Sequence, residues 1–241
     1  MTLSALHISG NQVQNEADAQ VRLKSVNLVA FLGGGNGDWM QPSGTMIWDT
    51  WNTTVVGNNL DAIAALGANC VRVLATAQYW INNTGSFQSH FATFCDMADT
   101  RGLYVDLCFW RVSDSDWSPP AVPYPPYDTK IADATLIANY SAWASFLASI
   151  ANTLQSKSNL MLEIWNEPYY TTWDTRNAEQ TDFLETTVPA CCTAIRVTGY
   201  TGLIVVQWEW GIRLDPNNIN GDCTLDWIID HHAAITDPDV L

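Results

Sequence analysis

Leu160-Met-Leu-Glu-Ile-Trp165, followed at once by Asn166-Glu167-Pro168, reads as a short strand that ends on a carboxylate and a proline. Its apolar residues run almost without a break, as in a parallel strand covered on both faces. Working outward, the same plan repeats. Strands are expected at 26–31, 69–74, 103–110 and 203–208, with 160–165 fourth in the series of five. The intervening stretches predict helices over 59–67, 87–101, 135–156, 178–197 and 224–235, the first two stopped by Gly67 and Gly102. Five alternations of strand and helix predict an α/β fold with a parallel sheet. Upstream, residues 6–10 and 20–24 alternate apolar and polar around Asn15-Glu-Ala-Asp18, which predicts a β-hairpin. The expected layout is therefore a hairpin cap over 1–24 and one large domain over 25–241.

Bulk properties narrow the function classes. Ten basic residues stand against 25 acidic ones, a formal charge of −15, and the acidic residues are dispersed. That balance opposes nucleic acid, whose binders neutralise phosphates with Lys and Arg, and it opposes anionic membrane surfaces. No window approaches the run of about 18 apolar residues that a membrane helix needs. The six cysteines (Cys70, Cys95, Cys108, Cys191, Cys192, Cys223) show no Cys-x-x-Cys spacing, so no zinc site is expected. Cys70 and Cys108 fall in strands and read as small buried apolar residues.

Met1-Thr-Leu-Ser-Ala-Leu-His7 lacks the basic start and apolar core of a signal peptide. Asn-x-Ser/Thr triplets at Asn52, Asn82 and Asn139 fit a secreted protein, and an extracellular location is the expectation. Gly33-Gly-Gly-Asn-Gly37 has neither dinucleotide-binding spacing nor the Lys-Ser/Thr of a phosphate loop, no Gly-x-Ser-x-Gly elbow occurs, and His231-His232 reads as a solvated helix end. No cofactor and no metal are expected.

In parallel α/β architectures chemistry collects at the C-terminal ends of the strands. Those ends carry Asn36 and Trp39 after the first strand, and Arg72 within the second. Trp110 follows the third with Asp114, Asp116 and Trp117, Asn166-Glu167 the fourth, and Gln207-Trp208-Glu209-Trp210 the fifth. Carboxylates, amides and indoles on one rim suit a neutral, polyhydroxylated ligand. A glycosidic oxygen leaves poorly until it is protonated, so such a site needs a carboxylic acid held neutral near working pH. Glu167, flanked by an indole and a proline, is the candidate.

Leu162-Glu-Ile-Trp-Asn-Glu-Pro168 resembles the fourth-strand motif of glycoside hydrolase family 5, the group of cellulases, mannanases and relatives. Leu6-His-Ile-Ser-Gly-Asn11 through Val21-Arg-Leu-Lys-Ser-Val-Asn27 resembles that family's N-terminal hairpin and first strand. Gly67-Ala-Asn-Cys-Val-Arg72 resembles its second strand, and Arg101-Gly-Leu-Tyr-Val-Asp-Leu107 its third. The order matches along essentially the whole chain. The resemblance implies a (β/α)8 TIM barrel, present here as about strands 1–5 and helices 1–5 behind the hairpin.

It also implies residue roles. Glu167 is the acid/base, Asn166 a donor near the sugar 2-hydroxyl, and Arg72 the support of a second carboxylate. Glu163 falls inside the barrel and reads as a buried polar group needing partners. Trp110, Trp117, Trp208 and Trp210 are candidate stacking surfaces, with Asn36, Trp39 and Glu209 as further substrate contacts. Trp110 stands where the family often has histidine. The family's nucleophile lies on strand seven, and 236–241 reads as the approach to strand six, so the nucleophile is expected beyond Leu241. The function expected is endo-acting hydrolysis of a β-linked glucan with retention, in a protein monomeric at full length. The rivals are a β-mannanase or exo-glucosidase of the same clan, and a carbohydrate-binding barrel without turnover.

Overall fold

The structure, a computed structural model, describes residues 2–31, 51–111, 140–166, 183–207 and 232–241. It opens on β1 (Leu6–Ser9) and β2 (Gln12–Asn15), an antiparallel pair with Ser9 opposite Gln12. The loop is Gly10-Asn11, and Gly10 has φ 61, a left-handed backbone that glycine adopts without a Cβ clash. This corrects the expected hairpin, whose return strand was placed at 20–24. Asn15 instead closes a second turn, its Oδ1 accepting from the N–H groups of Ala17 and Ala19, both at 3.0 Å. Gln20 meets β2 through a single bridge to Gln14.

Five parallel strands follow in sequential order: β3 (Ser25–Phe31), β4 (Cys70–Thr76), β5 (Tyr104–Arg111), β6 (Leu160–Glu163) and β7 (Ile204–Val205). The register sets Arg72 beside Asp106 across β4 and β5, and Cys108 beside Glu163 across β5 and β6. At the far edge Val240 forms a parallel bridge to Ile204, with Leu241 N donating to Ile204 O and Val206 N donating to Leu241 O. The segment after β7 thus enters the sheet in the sixth position, as the approach to strand six was expected to do.

The helices connecting the strands are α1 (Thr53–Ala65), α2 (Ala77–Asn82), α3 (Phe87–Asp99), α4 (Tyr140–Leu154) and α5 (Val188–Val197), the last preceded by a π-helical turn at Phe183–Thr187. Helix α1 starts six residues before the expected 59, because Asn52 caps it. The Asn52 Oδ1 accepts from the N–H groups of Thr54 at 2.9 Å and Val55 at 3.2 Å, a contribution of about 1 kcal/mol. Helix α2 was not anticipated. The expected helix at 224–235 falls mostly outside the described residues, where only His232–Ala234 form a 3₁₀ turn.

Strand residues alternate between two cores. Val71, Val73, Val105, Leu107, Phe109, Leu160, Leu162 and Ile204 pack against the helices. Cys70, Tyr104, Met161 and Leu203 face the other way and are covered by Leu6, with Leu3, Ile8 and Val13 beside it. The hairpin thus closes one end of the inner face. Hydrogen bonds that tie it down include those from Tyr104 Oη to Ser4 O at 3.2 Å and from Ile8 N to Asp239 Oδ1 at 2.9 Å. The five described cysteines are free and buried. Burial pushes the Cys70 and Cys192 thiols up to about 12, which suits packing residues rather than nucleophiles.

Candidate active site

Above the inner apolar layer the same strand faces turn polar. Arg72 lies one alternation beyond Cys70, Asp106 and Cys108 follow Tyr104, Glu163 follows Met161, and Gln207 lies beyond Leu203 and Val205 on β7's continuation. A charged residue on this face is screened from water by the barrel wall, so its partners must be its neighbours. Glu163 is 1% exposed and gives both carboxylate oxygens to one cation. Arg72 Nε donates to Glu163 Oε2 at 2.6 Å, and Arg72 Nη2 to Glu163 Oε1 at 2.7 Å.

The same Nη2 reaches Asn166 Oδ1 at 2.8 Å, Gln207 Oε1 at 3.0 Å and, more weakly, Cys108 Sγ at 3.4 Å. Two nitrogens, with three N–H bonds between them, therefore serve acceptors on four residues drawn from three strands. Nη1 has no acceptor among the described residues. Burial alone would lower the Arg72 pKa, but the hydrogen bond to Glu163 and the surrounding negative charge hold it above the usual guanidinium value.

Guanidinium is a donor only, so each amide turns its oxygen inward, and the Asn166 NH2 faces away from the hub. Asn166 is 3% exposed, and its backbone N donates to Phe109 O at 3.4 Å. The strand end that carries it is braced from behind. Trp143 on α4 donates its indole N–H to Ile164 O at 3.0 Å and meets Trp165 edge-on at 4.9 Å. Trp165 is a core residue, so this indole belongs to the helix-side packing.

Two carboxyls share the one cation unequally. Asp106 Oδ2 stays 3.9 Å from Arg72 Nε, and Asp106 Oδ1 is the one buried side-chain oxygen or nitrogen without a partner among the described residues. One guanidinium neutralises one carboxylate, and Glu163 has taken it. Burial first, and the negative charge of Glu163 second, raise the Asp106 pKa well above the carboxylate range, with Arg72 opposing. Of the two carboxyls, Asp106 is thus the one whose proton is held more tightly than usual.

The sign of the pH effect follows. Between the unfolded value near 3.9 and the raised folded value, the unfolded chain has lost a proton that the native state keeps, so stability falls as pH rises. The slope from this group is about 1.4 kcal/mol per pH unit inside that window. Asp106→Asn, which cannot ionise, should flatten the decline of melting temperature as pH rises above about 4. Parallel curves for the two proteins would contradict a tightly held Asp106 proton.

Of the residues singled out from sequence, the structure brings Arg72 and Asn166 into direct contact. Glu167, Asn36, Trp39, Trp117, Trp208, Glu209 and Trp210 lie outside the described residues, as do Asp114, Asp116 and Cys223. Trp110 lies in β5, with its side chain outside them. Cys108 and Gln207, which share the Arg72 guanidinium, and Asp106 beside it were not singled out as a group. Their signal was present: Arg72, Asp106 and Glu163 are ionisable residues on strands that read as buried on both faces, and such residues need each other.

The model of the cellulase family, glycosyl hydrolase family 5, matches residues 32–234. Solved structures of similar fold include the endoglucanase catalytic domain of Thermobifida fusca, 18% identical with a TM-score of 0.59, over 98% of this chain and 62% of that one. A β-mannanase from Thermomonospora fusca is 14% identical with a TM-score of 0.62, over 99% and 63%. An endocellulase from Pyrococcus horikoshii is 15% identical with a TM-score of 0.63, over 100% and 69%. All share the fold, and the chain spans about three-fifths of the length of the first two. No curated protein matches the sequence.

Proposed function

The chain belongs to the cellulase family, glycosyl hydrolase family 5, and from that premise we propose that the protein hydrolyses β-linked glucan within the chain by a retaining double displacement. The observation that carries this reading is the Arg72 hub, which reaches from within β4 to Asn166 and Gln207 past the C-terminal ends of β6 and β7 in a sequentially ordered parallel sheet. It fixes Asn166 immediately before Glu167. In this reading Glu167 first protonates the leaving glycosidic oxygen and later takes the proton from the attacking water. Asn166 offers its outward NH2 to the sugar 2-hydroxyl, an interaction that strengthens as the ring approaches the oxocarbenium geometry.

A retaining reaction also needs a nucleophilic carboxylate about 5–5.5 Å from the acid. The Nη1 edge of Arg72 is suited to hold that group ionised, because a guanidinium beside a carboxylate favours its charged form. Trp110, Trp117, Trp208 and Trp210 would supply faces for the pyranose rings, and Asn36, Trp39 and Glu209 hydrogen bonds or rim contacts. Structures of similar fold include an endocellulase holding cellotetraose, which supports an oligosaccharide as the ligand here. No helix among the described residues is long and apolar enough to cross a membrane. The Asn-x-Ser/Thr triplets at Asn52, Asn82 and Asn139 support a place outside the cell.

Retention is tested by following the first-formed anomer with proton NMR during hydrolysis of a soluble β-glucan oligosaccharide. The expected product is the β anomer at the new reducing end, equilibrating later. Initial release of the α anomer would replace double displacement with a single inversion.

A further inference from the structure

We propose that Glu163 is a positioning residue. Its carboxylate sets the Arg72 guanidinium, and that guanidinium fixes which way the Asn166 amide faces the sugar. The proposal rests on the glycosidase reading above and adds a residue to its machinery.

Three observations carry it. Glu163 uses both oxygens on Arg72, at 2.6 and 2.7 Å, so it constrains the guanidinium plane as well as its position. The Asn166 side chain has one hydrogen bond among the described residues, from Arg72 Nη2 to its oxygen at 2.8 Å. An amide's two ends are almost the same size, so without that donor nothing described here distinguishes NH2 outward from oxygen outward. Finally, a rival carboxyl waits on the other side. Asp106 Oδ2 lies 3.9 Å from the Nε that Glu163 holds at 2.6 Å, and its second oxygen is unpartnered.

The consequence of removing the Glu163 charge is therefore directional. Glu163→Gln presents an N–H to at least one guanidinium N–H, and the cation moves toward Asp106 on β5, off the position that holds Nη2 at 2.8 Å from Asn166 Oδ1. Asp106 then becomes the carboxylate that faces the guanidinium and keeps one ion pair in the layer, which favours a folded variant. Asp106→Asn does the reverse, leaving the Glu163–Arg72 geometry in place, and serves as the control.

The test uses the full-length protein in two arms. The first is crystallographic and independent of turnover. In Glu163→Gln the contact between Arg72 Nη2 and Asn166 should open beyond hydrogen-bond reach, while in Asp106→Asn it stays. The second arm measures kcat/KM on an aryl β-cellobioside and on its analogue lacking the 2-hydroxyl at the cleaved sugar. The deoxy sugar's own reactivity cancels in the comparison between enzymes. Wild type and Asp106→Asn should share one discrimination ratio, and Glu163→Gln should lose it by about fivefold or more.

A folded Glu163→Gln with the wild-type ratio and an intact Arg72–Asn166 contact overturns the proposal. So does an equal loss in Asp106→Asn, which would make any change in the layer sufficient. If Glu163→Gln does not fold, Glu163→Asp keeps the charge but retracts it by one methylene, and an unchanged ratio there overturns the proposal too. If the wild type hydrolyses neither substrate, the glycosidase reading fails, and the crystallographic arm still decides whether Glu163 positions the amide.

Discussion

Glu167→Gln is expected to lower kcat on a soluble β-glucan by about 10²- to 10⁴-fold, the range of general acid–base catalysis, while leaving the melting temperature almost unchanged. Glutamine keeps the shape and hydrogen-bonding capacity of the side chain but cannot deliver a proton to the glycosidic oxygen. The loss in kcat/KM should shrink on aryl glycosides, because kcat/KM reports the first displacement and their leaving groups need little protonation there. Measuring kcat/KM for both substrate types in wild type and variant decides the matter. Equal losses on the two would remove the acid role from this residue.

Arg72→Met is expected to have the largest effect on stability. It deletes the only described cation of the inner polar layer, leaving Glu163 and Asp106 buried together. Removing one partner of a buried pair costs about 3–5 kcal/mol, because the remaining charge is uncompensated. For a chain of this size that corresponds to a melting temperature lower by roughly 6–20 °C. The loss has a sign in pH. Burial already raises the Asp106 pKa, and without the opposing pull of the cation its ionised form becomes costlier as pH rises. Thermal denaturation at pH 5 and pH 8 should show the larger deficit at pH 8. A pH-independent deficit would mean that lost packing, not the unpaired charge, dominates. Arg72→Lys should recover only part of the stability, since an ammonium cannot span both oxygens of Glu163 and also reach Asn166.

Much of the fold was legible in sequence because its signals are local and repetitive. Near-continuous apolar runs gave all five parallel strands, and Gly67 and Gly102, with φ 78 and 70, marked the ends of two helices. The misreadings were local as well. Asn52 drew attention as a glycosylation triplet, while its oxygen was capping α1. Gly10-Asn11 is a two-residue hairpin loop, yet the longer polar stretch at Asn15–Asp18 was the more conspicuous turn. In the site, Arg72 and Asn166 were readable as members of one strand-end rim, but their contact through a shared hub was not. The hub depends on cross-strand register, which sets Arg72 level with Asp106 and Cys108 level with Glu163. Register is fixed by packing of distant segments, so no window of sequence contains it.

The most direct test of the central claim is the release of new reducing ends from a panel of soluble β-glucans and mannans by the full-length protein, with Glu167→Gln in parallel. The account predicts steady release from a β-glucan by the wild type and almost none by the variant. Release from mannan alone would move the substrate class within the family. Saturable binding to these polymers with no release of reducing ends from any of them would contradict the account and leave a carbohydrate-binding barrel in place of an enzyme.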